Sequence, residues 1–250
     1  MGQPGSDRIQ GLWIGRRLSA MERLSIASFL HHGHEYHLFA YDEVEGLPAG
    51  TLLVDAGAIL PASMIFQYRD IPSYAGFANY FRYKLLLDRG GWWADTDVVC
   101  LRPFDFDEPY VFASELMPDG RVLASAGVIK APAGCEAMAY AWGCCLARDP
   151  NELSWGETGP MLVGQAIARF GLGHHMHPPR TVSPVGVLEW RRLIEPGVSW
   201  TFDDSTRAVH LWNEMWRRDG VDKDGDHPSD CLYERLKAKY LPPTADHPRP

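Results

Sequence analysis

Five residues, Gly90-Gly91-Trp92-Trp93-Ala94, are all that separate an apolar helical pattern ending at Arg89 from the acidic pair Asp95 and Asp97. A glycine just past a helix takes the left-handed conformation that stops it, so Gly90-Gly91 marks an abrupt end. Trp92-Trp93-Ala94 carries no charged side chain, and a strand that short and that apolar is expected to be buried on both faces. A helix handed directly to a fully buried strand is the unit of an α/β domain. The segments before it repeat the alternation. Ile9–Ile14 reads as a first strand. Ser19-Ala20-Met21-Glu22 is a capping box, opening a helix that should stop near Gly33. Glu35–Tyr41 and Leu52–Asp55 follow as strands, and Ser73–Arg89 as a long helix with Phe77, Phe81 and Leu85 on its apolar face. Strands alternating with helices predict a mostly parallel sheet flanked by helices.

Beyond the acidic pair, Val98–Leu101 continues as apolar chain, and Tyr110–Ala113 and Val122–Lys130 read as strands. Gly134–Arg148 and Gly159–Phe170 read as helices, His174–Pro184 as irregular, and Ala208–Trp212 as a last strand. Asp219–His227 is a polar loop, Ser229–Tyr240 a final helix, and the tail from Pro242 is expected to be loose. No internal repeat or long linker divides the chain, so residues 1–250 are expected to form a single domain.

Composition narrows the function classes. At 46% hydrophobic and 22% charged residues the chain is globular in type, and 250 residues suffice for a sizeable core without disulfide or metal staples. A net charge of −8 with no basic run excludes nucleic acid as a partner, because phosphate backbones demand clustered Lys and Arg. The five cysteines form no C-x-x-C pair, so no zinc ribbon or dithiol motif is offered. No run of about 18 apolar residues provides a membrane span. The opening MGQPGSDRIQ lacks the apolar stretch of a secretion signal, and a cytoplasmic protein is the expectation.

The chemistry concentrates in Phe77–Pro103. A carboxylate pair at the C-terminal end of a strand lies where an open α/β sheet places its ligand. Oxygen ligands suit Mg²⁺ or Mn²⁺, which usually take one or two carboxylates together with substrate phosphates. A bare D-x-D also occurs as a solvated turn, so its surroundings decide. Asn79 and Arg82, three residues apart, share one face of the helix that runs into the strand.

Ala78-Asn79-x-x-Arg82 followed by Gly90-Gly91-Trp92-Trp93-Ala94-Asp95-Thr96-Asp97 resembles the sugar-binding region of DXD-containing glycosyltransferases of the GT-A fold. That group holds initiating mannosyltransferases, α1,4-galactosyl- and N-acetylglucosaminyltransferases and bacterial capsule enzymes. Weaker echoes are Gly11-Leu12-Trp13-Ile14-Gly15, Thr158-Gly159-Pro160, and Ala208-Val209-His210-Leu211-Trp212 with Trp216. One departure is Asn79, where many relatives carry Asp. The resemblance implies a GT-A-like, Rossmann-like domain with a nucleotide-sugar-binding core over about 9–131 and an acceptor part over about 132–240. It further implies retaining, Mn²⁺- or Mg²⁺-assisted transfer of a sugar from a nucleotide sugar, a UDP-sugar foremost, to a glycan or lipid-linked glycan acceptor. Asp97 would bind the metal, Asp95 the metal or the ribose, and His210 would be the third ligand. Arg82 would contact the donor sugar or phosphate, Asn79 would line the donor site, and Trp13 would stack on the base. Glu157, beside the T-G-P element, would be a nucleophile or ion-pair stabiliser under the anomeric carbon.

Two rival readings face that expectation. Trp93-Ala94-Asp95-Thr96-Asp97-Val98-Val99 mimics the nucleophile strand of haloacid-dehalogenase-type phosphatases. There, however, the strand lies near the start of the chain, whereas 94 residues precede Asp95, and Arg82 and the double glycine go unexplained. A non-catalytic nucleotide-sugar binder would leave the acidic pair, Arg82 and His210 idle together. The histidine groups His31, His32, His34, His37 and His174, His175, His177 match no zinc spacing and are read as surface or packing residues.

Overall fold

The computed structural model describes residues 8–241. The chain opens with β1 (Ile9–Trp13), α1 (Ala20–His31), β2 (Tyr36–Ala40) and β3 (Leu52–Asp55). The capping box forms as expected: Ser19 Oγ accepts from Met21 N–H, and Ser19 N–H donates to Glu22 at 2.8 Å. The long helix α2 (Ala75–Arg89) stops at Gly90 and hands over to β4 (Gly91–Ala94), then β5 (Val98–Cys100). Gly90 has φ 62° and ψ −162°, and a Cβ there would stand 2.5 Å from the backbone nitrogen of Ala133. Both the dihedral and the close approach require glycine.

β6 (Val111–Leu116) and β7 (Val122–Ala131) form a hairpin, followed by α3 (Glu136–Leu146), α4 (Leu162–Arg169), β8 (Ala208–His210), α5 (Asn213–Arg218) and α6 (Leu232–Tyr240). Six strands make one sheet in the order β3-β2-β1-β4-β7-β6. The pairings β1–β2, β1–β4 and β2–β3 are parallel, while β7 runs antiparallel to both β4 and β6. The sheet is thus the mostly parallel α/β sheet expected, with an antiparallel hairpin closing one edge. β5 and β8 leave it to form their own two-stranded ladder. The adjacent tryptophans of β4 project to opposite faces: Trp93 packs with Phe77, Phe81 and Ile129, and Trp92 with Phe29, Tyr36 and Phe104.

Some element boundaries differ from expectation. The helix read from Gly159 begins at Leu162, because Gly159 is non-helical (φ −95°, ψ −115°) and Pro160 cannot donate. The last strand ends at His210, since Trp212 takes a left-handed φ of 61° and turns the chain. β6 runs on to Leu116 through a register shift between Phe112 and Ser114. The short α5 and a 3₁₀ stretch at Val187–Leu193 were not legible as helices. The tail from Pro242 lies outside the described residues. Among the described residues no helix is long and apolar enough to cross a membrane.

Candidate active site

β4 delivers Asp95 at its C-terminal end, where the Asp95 N–H donates to the Gly127 carbonyl of β7 at 2.8 Å. The chain turns at once, with Val98 N–H bonded to the Asp95 carbonyl at 3.0 Å, so Asp97 sits beside Asp95. The β5–β8 ladder sets Val98 opposite His210 and brings the imidazole to the turn. His210 Nε2 lies 3.2 Å from Asp97 Oδ1. One donor atom each from Asp95, Asp97 and His210 fall within 4.8 Å of one another. The left-handed turn at Trp212 then does two things. It lays the indole on the His210 ring, with centroids 4.0 Å apart and planes 27° from parallel, and it points Asn213 N–H at Asp97 Oδ2, 2.8 Å away. Strand alternation alone suggested that His210 and Trp212 share a side; the turn is what brings the rings together.

Arg82, only 3% exposed, reaches the acidic pair from α2. Its guanidinium lies 3.0 Å from Asp95 Oδ1, donates to the carbonyls of Ala78 and Ala126, and stacks 4.9 Å over the Trp93 ring. Trp93 Nε1 donates to the same Asp95 oxygen at 2.8 Å. Asn79, one turn earlier, donates to Thr158 Oγ1 at 3.2 Å, while the Tyr83 hydroxyl donates to the Thr158 carbonyl at 2.7 Å. The amide of Asn79 therefore anchors the T-G-P turn through the Thr158 hydroxyl.

Electrostatics separate the two aspartates. Burial pushes the Asp95 carboxyl above the ordinary range; the Arg82 guanidinium works against this shift and the Asp97 charge adds to it. Burial acts on Asp97 in the same sense, but the charge and hydrogen bond of His210 and the Asn213 N–H outweigh it and hold that carboxyl low. For His210, burial alone would lower the pKa, yet Asp97 and Asp95 together raise it above 6.5.

A cavity of about 560 Å³ opens over this cluster, lined among others by Trp13, Asn79, Arg82, Asp95, Asp97 and His210. Six of the seven expected site residues therefore meet in one place. Glu157 does not line it. Its carboxylate is taken by Arg148 at 2.7 Å and by Ser154 N–H at 3.1 Å, and these bonds hold it below the ordinary carboxylate range. This pairing is a correction to its expected place under the anomeric carbon.

Three residues at the site were missed. Gly127 faces it, and a Cβ there would stand 3.1 Å from His210 Cε1 and 3.5 Å from Asp95 Oδ2. Lys223, from the polar loop, pairs with buried Glu22, donates to Asn213 Oδ1 at 2.9 Å and lies 5.7 Å from the Trp13 ring centre. Glu115 lines the cavity from β6. Its only signal in the sequence was a charge inside the run Val111–Leu116, and the strand was read as ending before it.

The donor set fits a hard or borderline divalent ion: two carboxylates and one imidazole, with His210 Nδ1 buried and unpartnered and with the missing side chain of Gly127 leaving room beside them. Two neighbouring carboxylates, one pushed up and one held low, form a charge arrangement that a dication would relieve.

Residues 52–117 match the family model described as the glycosyltransferase sugar-binding region containing a DXD motif. No curated protein matches the chain. Among solved structures, the PaToxG glycosyltransferase superposes with a TM-score of 0.53 at 16% identity, covering 68% of this chain and 72% of that one. The apo form of the glycosyltransferase GlyE of Streptococcus pneumoniae TIGR4 gives a TM-score of 0.40 at 14% identity, covering 70% of this chain and 46% of that one. A chain described as a transferase gives 0.44 at 10% identity, covering 69% and 87%.

Proposed function

We propose that this chain, whose residues 52–117 match the DXD-containing sugar-binding region of glycosyltransferases, moves a sugar with retention from a nucleotide sugar, of the UDP-sugar class, to a glycan or lipid-linked glycan acceptor with the help of Mn²⁺ or Mg²⁺. The observation that carries this reading is the Asp95, Asp97 and His210 cluster on the wall of the 560 Å³ cavity. Retention and the donor class rest on the family resemblance of the motif. A bound dication supplies Lewis-acid neutralisation of the diphosphate as it departs. His210 favours Mn²⁺ over Mg²⁺, because imidazole suits the softer ion.

The protein groups divide the remaining work. Asp97 and His210 hold the ion, with Asn213 N–H and the Trp212 ring fixing their orientation. Arg82 and Trp93 pin the inner oxygen of Asp95, leaving its other oxygen toward the cavity to serve the ion or the ribose. Trp13 offers its ring to the base, and Lys223 sets that ring and the Asn213 turn on one support. Asn79 acts on the donor side through the T-G-P turn that it anchors.

A thermal-shift panel of nucleotide sugars with and without Mn²⁺ tests the reading. A ligand at about 100 times its Kd stabilises the native state by about 2.7 kcal/mol. For a chain of this size that is a rise of roughly 5–11 °C in Tm. The expected result is such a rise for one donor class, only with metal; no shift for any nucleotide sugar overturns the proposal.

A further inference from the structure

Two cavity carboxylates have no assigned work, and of these Glu214 is taken by Arg217 and Arg218, which leaves Glu115. It is 9% exposed, lines the same cavity as Asp95, Asp97 and His210, and is engaged by no hydrogen bond or ion pair among the described residues. A carboxylate in a largely buried residue with no bonded partner is costly, and the charge that acts on it here is that of His210 rather than of an Arg, a Lys or a set of N–H donors. A group held in that condition in a ligand cavity points to a partner that arrives with the ligand.

The arriving partner can be narrowed by charge and by place. Glu115 is not in the group whose donor atoms cluster within 4.8 Å, so it is not one of the ion's ligands. A diphosphate is also excluded, since two anions in a buried site repel. What remains in a nucleotide sugar is the sugar, which offers hydroxyl donors in the ground state and positive charge at C1 and the ring oxygen as the glycosidic bond breaks. Burial pushes the Glu115 carboxyl upward, with the His210 charge acting the other way. A poorly solvated carboxylate interacts with developing positive charge far more strongly than one in water.

We propose that Glu115 is the catalytic carboxylate that faces the transferred sugar and balances the positive charge building at its anomeric centre. The inference rests on the reading given under Proposed function. In the step, the bond from C1 to the phosphate oxygen breaks and its electron pair leaves with the nucleotide diphosphate. The acceptor hydroxyl oxygen bonds to C1, and its proton passes to the departing diphosphate. Glu115 enters and leaves the step as a carboxylate.

The test compares wild type with Glu115→Gln and Glu115→Leu in three measurements: turnover of a nucleotide sugar by transfer or hydrolysis, calorimetric affinity for Mn²⁺ and for the nucleoside diphosphate, and Tm. Turnover should fall about 10²- to 10³-fold, the range seen when one group aimed at transition-state charge is removed. Both affinities should stay within about two-fold, the mark of a group that acts in the transition state alone. Tm should hold or rise by about 2–4 °C, because an unpaired buried charge has been removed. Turnover in the Gln variant within about three-fold of wild type overturns the assignment. So does a loss of Mn²⁺ affinity, which would make Glu115 a ligand, and so does a fall in Tm, which would make it structural. A wild type that turns over no nucleotide sugar refutes the proposed function and this inference with it, whereas active wild type with equally active variants removes Glu115 alone.

Discussion

Replacing Arg82 by Lys keeps the charge and removes the fork, and the structure sets the size of the effect. One guanidinium serves Asp95 Oδ1 at 3.0 Å, the Ala126 carbonyl and the Ala78 carbonyl at 3.3 Å while lying over Trp93. A single ammonium on an unbranched stem can reach Asp95 or Ala126, not both. Leaving the Ala126 carbonyl unpaired costs about 1–3 kcal/mol, and losing the stack over Trp93 costs about another 1 kcal/mol. The sum, about 2–4 kcal/mol, corresponds to a fall of roughly 5–15 °C in Tm. The ammonium then serves Asp95 without the fixed direction of the fork, so Asp95 is held less precisely and turnover per folded molecule should drop on the order of 10²-fold. Urea denaturation followed by tryptophan fluorescence measures the first effect, and donor turnover normalised to the folded fraction measures the second. A Lys variant melting within about 1 °C of wild type refutes the packing argument. One that is destabilised yet turns over normally shows that Arg82 is scaffold only.

Four further outcomes are expected. Asp97→Asn should abolish transfer and Mn²⁺ binding by calorimetry while leaving the circular dichroism unchanged, since the Asn213 N–H still finds an oxygen. Because only neutral imidazole binds a metal and the His210 pKa is raised, Mn²⁺ affinity should begin to fall as pH drops through a value above 6.5; His210→Ala should flatten that profile. His32 is pushed down to about 4 by burial and by His31 and Lys239, so the unfolded chain takes up its proton first. Its contribution to stability is therefore lost as pH falls from 6.5 toward 4, and urea midpoints for a His32→Asn variant should show a shallower loss across that window. Gly90→Ala meets both a glycine-only dihedral and the Ala133 nitrogen at 2.5 Å; it should cost about 3 kcal/mol or more, read as a lower urea midpoint at unchanged slope.

What the sequence made legible was local. Gly90-Gly91 announced a helix end because the backbone leaves no alternative there, and Trp92-Trp93-Ala94 announced a buried strand because nothing in it tolerates water. Asp95, Asp97, Arg82 and Asn79 followed from their spacing around that handover. His210 was found by its motif, but the reason for its orientation, the reversed φ at Trp212, is a tertiary effect that no periodicity encodes. Glu157 failed because adjacency to Thr158 in sequence says nothing about side-chain direction, and Arg148 nine residues earlier claimed the carboxylate. Glu115, Gly127 and Lys223 were hidden for a related reason. Glu115 and Gly127 reach the cavity through strand register, Lys223 reaches Asn213 and Trp13 from a long loop, and long-range pairing is invisible in a local window.

The three-residue ladder between β5 and β8 sets how the site can come apart. Asp95 and Asp97 follow directly on the large sheet, and His210 and Asn213 are held to them by the pairings of Val98, Val99 and Cys100, by Leu211 N–H to the Asp97 carbonyl at 2.9 Å, and by the Asp97–Asn213 bond, across a separation of 116 residues. Val98, Val99, Cys100, Ala208 and Val209 are all fully buried, so opening the ladder exposes apolar core, and the site should be lost together with the fold rather than by a local excursion. A metal ion held by Asp97 and His210 would tie the two strands together and so brace the late half of the chain. Heat or protease should accordingly cost this enzyme its activity and its fold together.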